Sequence, residues 1–203
     1  GHWRGAAGNG VSSTSTPPTE WSGTKNVKWK VAVPGRGSSS PIIWGDQVLV
    51  TTAVRTDGRT SDQPEITQLD FRLLCYERGT GELRWETTAC STTPHQETHG
   101  TNGFASASPC TDGKHIYAHF GSRGLYCYSM DGTLKWKRDD LGKMETRNGF
   151  GEGSSPTLAE NFILVPWDHE GPSYLAALDK LTGETVWKTE RDEPTCWATP
   201  LVV

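Results

Sequence analysis

The stretch 175–187 reads LAALDKLTGETVW, and it decides the fold because two other parts of the chain repeat it. Residues 73–85 read LLCYERGTGELRW, and residues 125–136 read LYCYSMDGTLKW, with a turn one residue shorter. The tryptophans that close these units follow one another at intervals of 51 residues and are Trp85, Trp136 and Trp187. A fixed period of this length is the signature of a repeat architecture.

A second element keeps the same period. Each unit opens on a hydroxyl residue followed by proline, before an apolar stretch: Ser40-Pro41, Ser108-Pro109, Ser155-Pro156 and Thr199-Pro200. In the second unit the pattern predicts four strands, at residues 106–110, 115–120, 124–129 and 133–138. Asp131-Gly132 is a strong signal for a two-residue hairpin turn.

Four antiparallel strands in each 40 to 50 residues, with no helix between them, predict an all-β fold made of β-propeller blades. We divide the chain into an N-terminal arm, residues 1–26, and a partial propeller, residues 27–203. Blade repeats end near Trp29, Trp85, Trp136 and Trp187, and a further blade begins near Trp197. We expect each closing tryptophan to lie flat between adjacent sheets, with its indole N–H bonded to a backbone carbonyl.

Composition limits the classes of partner. The formal net charge is -4, from 20 Lys and Arg and 24 Asp and Glu, and the two signs are mixed along the chain, so no nucleic-acid-binding face is expected. No apolar run reaches the roughly 18 residues that a membrane span needs.

The five cysteines form no metal-ligand spacing, which argues against a zinc site. Cys90 and Cys110 could form a disulfide in an oxidising compartment, or they could be small buried side chains like the others.

The motif in the third unit resembles the tryptophan-docking repeat of propellers of the pyrroloquinoline-quinone type, a family with many exported bacterial members. Its matching positions are Ala177, Asp179, Thr182, Gly183 and Trp187. The first unit keeps Thr80, Gly81 and Trp85 but has Cys75 and Glu77 where the motif has alanine and aspartate. The resemblance implies that the chain supplies about half of an eight-bladed ring, whose missing blades would make the intact protein about twice as long.

The resemblance leaves several functions open. Members of the family include calcium- and quinone-dependent alcohol and sugar dehydrogenases, which the resemblance describes as having a catalytic aspartate and often a disulfide between adjacent cysteines. No adjacent cysteines occur in this sequence. We therefore favour a non-catalytic, periplasmic or extracellular scaffold for a protein partner or an extracellular ligand, and keep the quinone- and calcium-dependent dehydrogenase as the alternative.

Loops between blades are the expected place for a binding site. The candidate polar site consists of Arg147, Asn148, Glu152, Asp168 and His169. The competing interpretation is that these arginines and acids pair with one another to fix the loops.

A metal site is a second candidate. His95, Glu97 and His99 alternate, and on an extended strand the three side chains would project to one side and could bind a divalent transition metal. The alternative is a solvated loop at the mouth of the propeller.

A carbohydrate-binding propeller is the third functional hypothesis. It rests on four tryptophans outside the repeat position, whose exposed indoles could stack on a sugar ring: Trp21, Trp44, Trp167 and Trp197.

Overall fold

The computed structural model describes residues 1–5, 8–57 and 67–202. Within these ranges the strands form three four-stranded antiparallel sheets. Blade 1 contains β1 (Ile42–Trp44), β2 (Gln47–Arg55), β3 (Leu69–Glu77) and β4 (Leu83–Thr92). Blade 2 contains β5 (Cys110–Thr111), β6 (His115–His119), β7 (Leu125–Ser129) and β8 (Leu134–Arg138). Blade 3 contains β9 (Thr157–Ala159), β10 (Phe162–Trp167), β11 (Ser173–Asp179) and β12 (Thr185–Arg191).

Consecutive strands are neighbours in every sheet, so each blade is an up-and-down meander. The structure thus confirms the all-β fold of antiparallel blades and makes the chain a partial β-propeller. Three of the four strands predicted for blade 2 match to within one residue. The first does not: of residues 106–110 only Cys110 is in a strand, because the Ser108 N–H bonds to a side chain and Pro109 has no N–H.

The hydrophobic core lies between the blades, and the side chains of β7 contribute to it on both sides of their sheet. These side chains alternate between the two sheet faces. Tyr126 and Tyr128 pack in the cluster shared with blade 1, while Leu125 and Cys127 pack in the cluster shared with blade 3. Both faces of this blade are therefore buried, which explains why its central strand lacks a polar face.

Three of the closing tryptophans, Trp29, Trp85 and Trp136, each pack on the turn glycine of the next unit. A Cβ at Gly183 would lie 2.7 Å from Cε3 of Trp136, and a Cβ at Gly132 would lie 2.8 Å from Cε3 of Trp85. Trp29 has the same relation to Gly81. Only glycine leaves room for the indole, and its positive φ at these turns adds a second reason for glycine.

In two of these three contacts the indole N–H donates a hydrogen bond to a backbone carbonyl, as expected. Trp29 donates to Arg78 O at 2.8 Å, and Trp136 donates to Lys180 O at 3.1 Å. The indole N–H of Trp85 is buried without an acceptor, whereas Met130 O, the corresponding carbonyl of blade 2, accepts from Gln47 Nε2 at 3.1 Å. Gln47 therefore bonds to the carbonyl that corresponds to the acceptor of the indole N–H in the other two contacts.

The spacing of the motif in blade 3 has a local cause. The Asp179 carboxylate accepts hydrogen bonds from the N–H groups of Leu181 and Thr182, at 2.8 and 2.9 Å. These backbone hydrogen bonds lower the pKa of Asp179. Gly183 then closes the turn by donating its N–H to Asp179 O at 2.8 Å. The aspartate and glycine together fix the turn on which Trp136 packs.

A ladder of hydroxyl groups links the segments that precede the first strands of neighbouring units. Ser40 N–H donates to Ser108 Oγ at 2.9 Å, Ser108 N–H to Ser155 Oγ at 2.9 Å, and Ser155 N–H to Thr199 Oγ1 at 3.3 Å. The repeated Ser-Pro and Thr-Pro pairs therefore set the register between neighbouring units.

We expect Ser155→Ala to destabilise the protein by about 1 to 3 kcal/mol, because the buried N–H of Ser108 loses its acceptor. Ser155→Thr, which keeps a hydroxyl as Thr199 does in the next unit, should restore most of the loss. Urea unfolding followed by tryptophan fluorescence measures both. Equal stability of the alanine variant and the native protein would contradict a role for the ladder.

The fourth unit, expected to begin near Trp197, contributes no strand within residues 197–202. A strand is defined by ladder hydrogen bonds to a neighbour, and this segment makes none of that kind. Val203 lies outside the described residues. The described part of the chain also contains no helix that is long and apolar enough to cross a bilayer.

Candidate ligand-binding face

Loops from all three blades meet at one end of the sheets. Because strands alternate in direction, the connections between blades emerge at the same end as the hairpin between the second and third strands of each blade. We call the surface formed by residues 93–109, 120–124, 139–156, 168–172 and 192–199 the loop face. Hydrogen bonds join its segments: Arg147 N–H donates to Thr195 Oγ1 at 2.8 Å, and Glu170 N–H donates to Glu145 O at 2.8 Å.

Glu152 is buried beneath this face and forms an ion pair with Arg123. Their side chains are 8% and 6% exposed, and Arg123 Nη1 lies 2.7 Å from Glu152 Oε2. The carboxylate also accepts from Ser122 N–H at 2.7 Å and from Ser122 Oγ at 2.6 Å. The arginine guanidinium lies 5.5 Å from the ring centroid of Phe71, within cation–π range. This carboxylate anchors the 139–156 connection to the hairpin of blade 2.

Asp168 and His169 are likewise held in place. Arg191 Nε donates to Asp168 Oδ1 at 2.8 Å, and this hydrogen bond raises the pKa of Arg191. His169 Nδ1 accepts from the N–H groups of Glu145 and Gly171, at 3.1 and 3.2 Å, so the ring proton lies on Nε2. The His169 side chain lines an open cleft of about 520 Å³ at the edge of the face.

Arg147 and Asn148 lie on the outside of the face. Arg147 Nε is 3.5 Å from Glu170 Oε1, which also accepts from Thr195 Oγ1 at 2.7 Å. Asn148 is exposed and has a φ of 53° in a single helical turn. The five candidates of the polar site therefore lie in separate hydrogen-bonded groups.

The predicted metal site is not assembled. His95 Nε2 is 2.7 Å from Met144 O, and His99 Nδ1 is 2.8 Å from Thr101 Oγ1. Nowhere in the described ranges does a group of three or more His, Cys, Asp or Glu side chains have an arrangement that could hold a metal, and this includes Glu97. The segment is a loop bonded to its neighbours, so its alternating residues do not share the side of a strand.

Sequence reasoning missed His119, the last residue of β6. His119 is 1% exposed and its Nδ1 is 3.4 Å from Ser154 O. Its Nε2 is buried and has no hydrogen-bond partner among the described residues. Burial lowers the pKa of His119, and Arg123 acts in the same direction, while Glu152 and Ser154 O oppose the shift. No sequence motif marks this position, since the burial comes from blade 3.

The buried His119 predicts acid sensitivity. An unfolded histidine binds a proton near pH 6.5, but the folded His119 resists protonation until a lower pH. The unfolded state therefore binds more protons, and the free energy of unfolding should fall as the pH drops below about 6.5. Unfolding by urea from pH 7.5 to 5 should give a shallower pH dependence for His119→Gln than for the native protein. Identical slopes would contradict this role.

The sequence also gave no sign that three aromatic rings form one cluster. The cluster joins His99, Phe150 and Trp197, which come from three successive connections of the loop face. The ring centroids of His99 and Phe150 are 5.3 Å apart, and those of Phe150 and Trp197 are 6.3 Å apart. The sequence had singled out Trp197 as a tryptophan outside the repeat, but the contacts that join the rings run between distant loops.

The other three tryptophans of the carbohydrate hypothesis differ in exposure. Trp167 is buried and stacks on Tyr174, with an interplanar angle of 9°. Trp21 is 71% exposed, and Trp44 is 43% exposed with its ring against Gly113.

Known proteins share this architecture. A family model described as outer membrane protein assembly factor BamB matches residues 69–200, about two thirds of the chain. The chain belongs to this BamB family. No curated protein matches it.

The structure of a dehydrogenase supports the propeller fold. A europium-containing methanol dehydrogenase aligns with a TM-score of 0.54 at 11% identity, over 82% of this chain and 27% of the enzyme. BamB from Moraxella catarrhalis aligns with a TM-score of 0.42 at 16% identity, over 77% of this chain and 41% of that protein. The chain thus spans less than half the length of either structure, and at these identities the likeness shows the fold alone.

The sequence resemblance implies calcium and a quinone for the dehydrogenases of this type. The buried carboxylates of the loop face, Glu152 and Asp168, are each bonded to an arginine. Within the described residues no other acidic cluster has the arrangement of a metal site.

The cysteines of the described structure are free thiols, including Cys90 and Cys110. The disulfide considered between these two is therefore not formed. Cys110 is fully buried, and burial raises the pKa of its thiol to about 12. This environment fits the interpretation of small buried side chains.

Proposed function

We propose that the chain is part of a non-catalytic binding propeller whose loop face presents a rigid surface to a partner or ligand. One observation carries the proposal: the two buried carboxylates of the loop face, Glu152 and Asp168, are committed to fixing the loops. Glu152 accepts from Ser122 and Arg123, and Asp168 is paired with Arg191.

Rigidity of the loops favours binding, because loops that are already ordered lose less entropy when they meet a ligand. The connections here are tied to one another by bonds between side chains and backbone. Gln96 Nε2 donates to Thr146 Oγ1, which in turn accepts from Gly151 N–H at 3.0 Å. Thr98 Oγ1 donates to Phe150 O at 3.2 Å.

We also propose that the three blades are continued by further blades of the same ring, about eight in total, and that the protein is exported to the periplasm or beyond. Trp187 supports the first part. It keeps the 51-residue spacing from Trp136, yet it is 41% exposed on β12, with no turn glycine packed on it among the described residues. Family membership supports export, since the family model is named for outer membrane protein assembly.

The rival function is a quinone- and calcium-dependent dehydrogenase, and an activity assay separates the two. The protein is incubated with pyrroloquinoline quinone, calcium chloride and an electron-accepting dye, with methanol, ethanol or glucose as substrate. We expect no dye reduction above that of the mixture without protein. Substrate-dependent reduction that stops when calcium is omitted would replace our proposal with the dehydrogenase.

A further inference from the structure

Two half-exposed rings stand out on the loop face. Phe150 is 40% exposed and Trp197 is 42% exposed, and the His99 ring lies edge-on to Phe150 at 85°. The Phe150 and Trp197 planes are inclined by 35°. Each ring comes from a different connection between blades, so the cluster exists only in the folded propeller.

The backbone around these rings is fixed. The Trp197 indole N–H donates to Gly151 O at 2.7 Å, and its five-membered ring packs on Gly153. The Phe150 carbonyl accepts from Asn102 Nδ2 at 3.0 Å and from Thr98 Oγ1 at 3.2 Å. The rings are therefore held in position by polar bonds that leave part of their aromatic surface in water.

The size of the exposed surface argues against a protein as the ligand of this cluster. A large aromatic side chain buries roughly 150 to 250 Å² when covered completely. Two rings that are about 40% exposed offer on the order of 200 Å², a quarter of the roughly 800 Å² that each partner contributes to a stable protein interface. That area matches one or two six-membered sugar rings.

The polar surroundings fit the same ligand. A pyranose has an apolar face of C–H groups and a rim of hydroxyls that donate and accept hydrogen bonds. Arg147 and Asn148, both exposed, immediately precede the Phe150 segment, and the backbone N–H of Arg147 is bonded to Thr195, two residues before Trp197. A guanidinium and an amide on the same connection as Phe150 can bond to such hydroxyls.

We propose that Phe150 and Trp197 form a stacking site for a neutral oligosaccharide, with His99 supporting Phe150 and with Arg147 and Asn148 bonding to sugar hydroxyls. This inference rests on the proposed function and names the ligand of the loop face. It requires no chemical step.

Calorimetric titration with cellohexaose, laminarihexaose and chitohexaose tests the inference. We expect at least one of the three to bind, and Trp197→Ala and Phe150→Ala each to weaken that binding at least about tenfold, which corresponds to about 1.4 kcal/mol. Trp21→Ala is the matched control, because that indole is 71% exposed but lies in the N-terminal arm, and it should bind like the native protein. Far-UV circular dichroism checks that each variant is folded. The hydrogen bonds of Phe150 to the neighbouring loops run through its backbone carbonyl, so Phe150→Ala keeps them even if Trp197→Ala unfolds.

The other outcomes overturn the inference in distinguishable ways. If none of the three sugars binds, or if a sugar binds equally well to both loop-face variants, this site is not a saccharide site, and the scaffold function still stands. A protein partner whose binding is lost in Phe150→Ala, without sugar binding, would assign the rings to a protein contact. Dye reduction with quinone and calcium would instead remove the proposed function itself.

Discussion

Replacing Glu152 with glutamine is expected to lower the free energy of unfolding by about 3 kcal/mol or more. The change leaves the Arg123 charge 6% exposed and without its counter-ion. Breaking a buried ion pair by removing one partner typically costs about 3 to 5 kcal/mol, because the remaining charge stays desolvated. Urea unfolding, followed by both fluorescence and circular dichroism, measures the loss.

Two further variants make this prediction specific. Glu97→Gln changes an exposed carboxylate in the neighbouring connection and should stay within about 0.5 kcal/mol of the native protein. The double variant Arg123→Met with Glu152→Leu should recover part of the loss, since no unpaired charge remains. A loss below 1 kcal/mol for Glu152→Gln would show that the pair does not anchor the loop.

Gly183→Ala is the second substitution with a large expected effect. Two destabilising effects add. Alanine at a φ of +76° costs roughly 1 to 2 kcal/mol. The new Cβ would also lie 2.7 Å from the Trp136 ring, and such overpacking costs about 1 to 3 kcal/mol. Thermal and urea unfolding should both report the sum.

Gly149 is the matched control for this contact. Its φ is +62°, but nothing lies within 4 Å of the position that a Cβ would take. Gly149→Ala should therefore show the backbone cost alone. If Gly149→Ala and Gly183→Ala destabilise equally, the packing of the tryptophan on the turn contributes nothing to the stability of the propeller.

The repeat was predictable because its signals are local. The Asp131-Gly132 turn and the Asp179 to Gly183 motif each act within a few residues. The repeat placed three of the four strands of blade 2 and the indole hydrogen bonds of Trp29 and Trp136. The first strand of blade 2 was predicted too long because Ser108 bonds to a side chain of the next unit, 47 residues away.

The loop face was less predictable, since its partners are distant in sequence. Arg123 and Glu152 are 29 residues apart, and the pair that Phe150 forms with His99 spans two connections. Composition identified the loops as polar, but it could not distinguish a free carboxylate from one already bonded to arginine. Asp168 and Glu152 illustrate this: both were candidates for a binding site, and both prove to be bonded to arginines.

We expect the loop face to bind a ligand and to perform no quinone chemistry. An absorbance titration of pyrroloquinoline quinone with the protein, in the presence of calcium, tests this expectation. We predict that the quinone spectrum stays that of the free cofactor over the whole titration. A saturable, calcium-dependent spectral change with one quinone bound per chain would contradict the account.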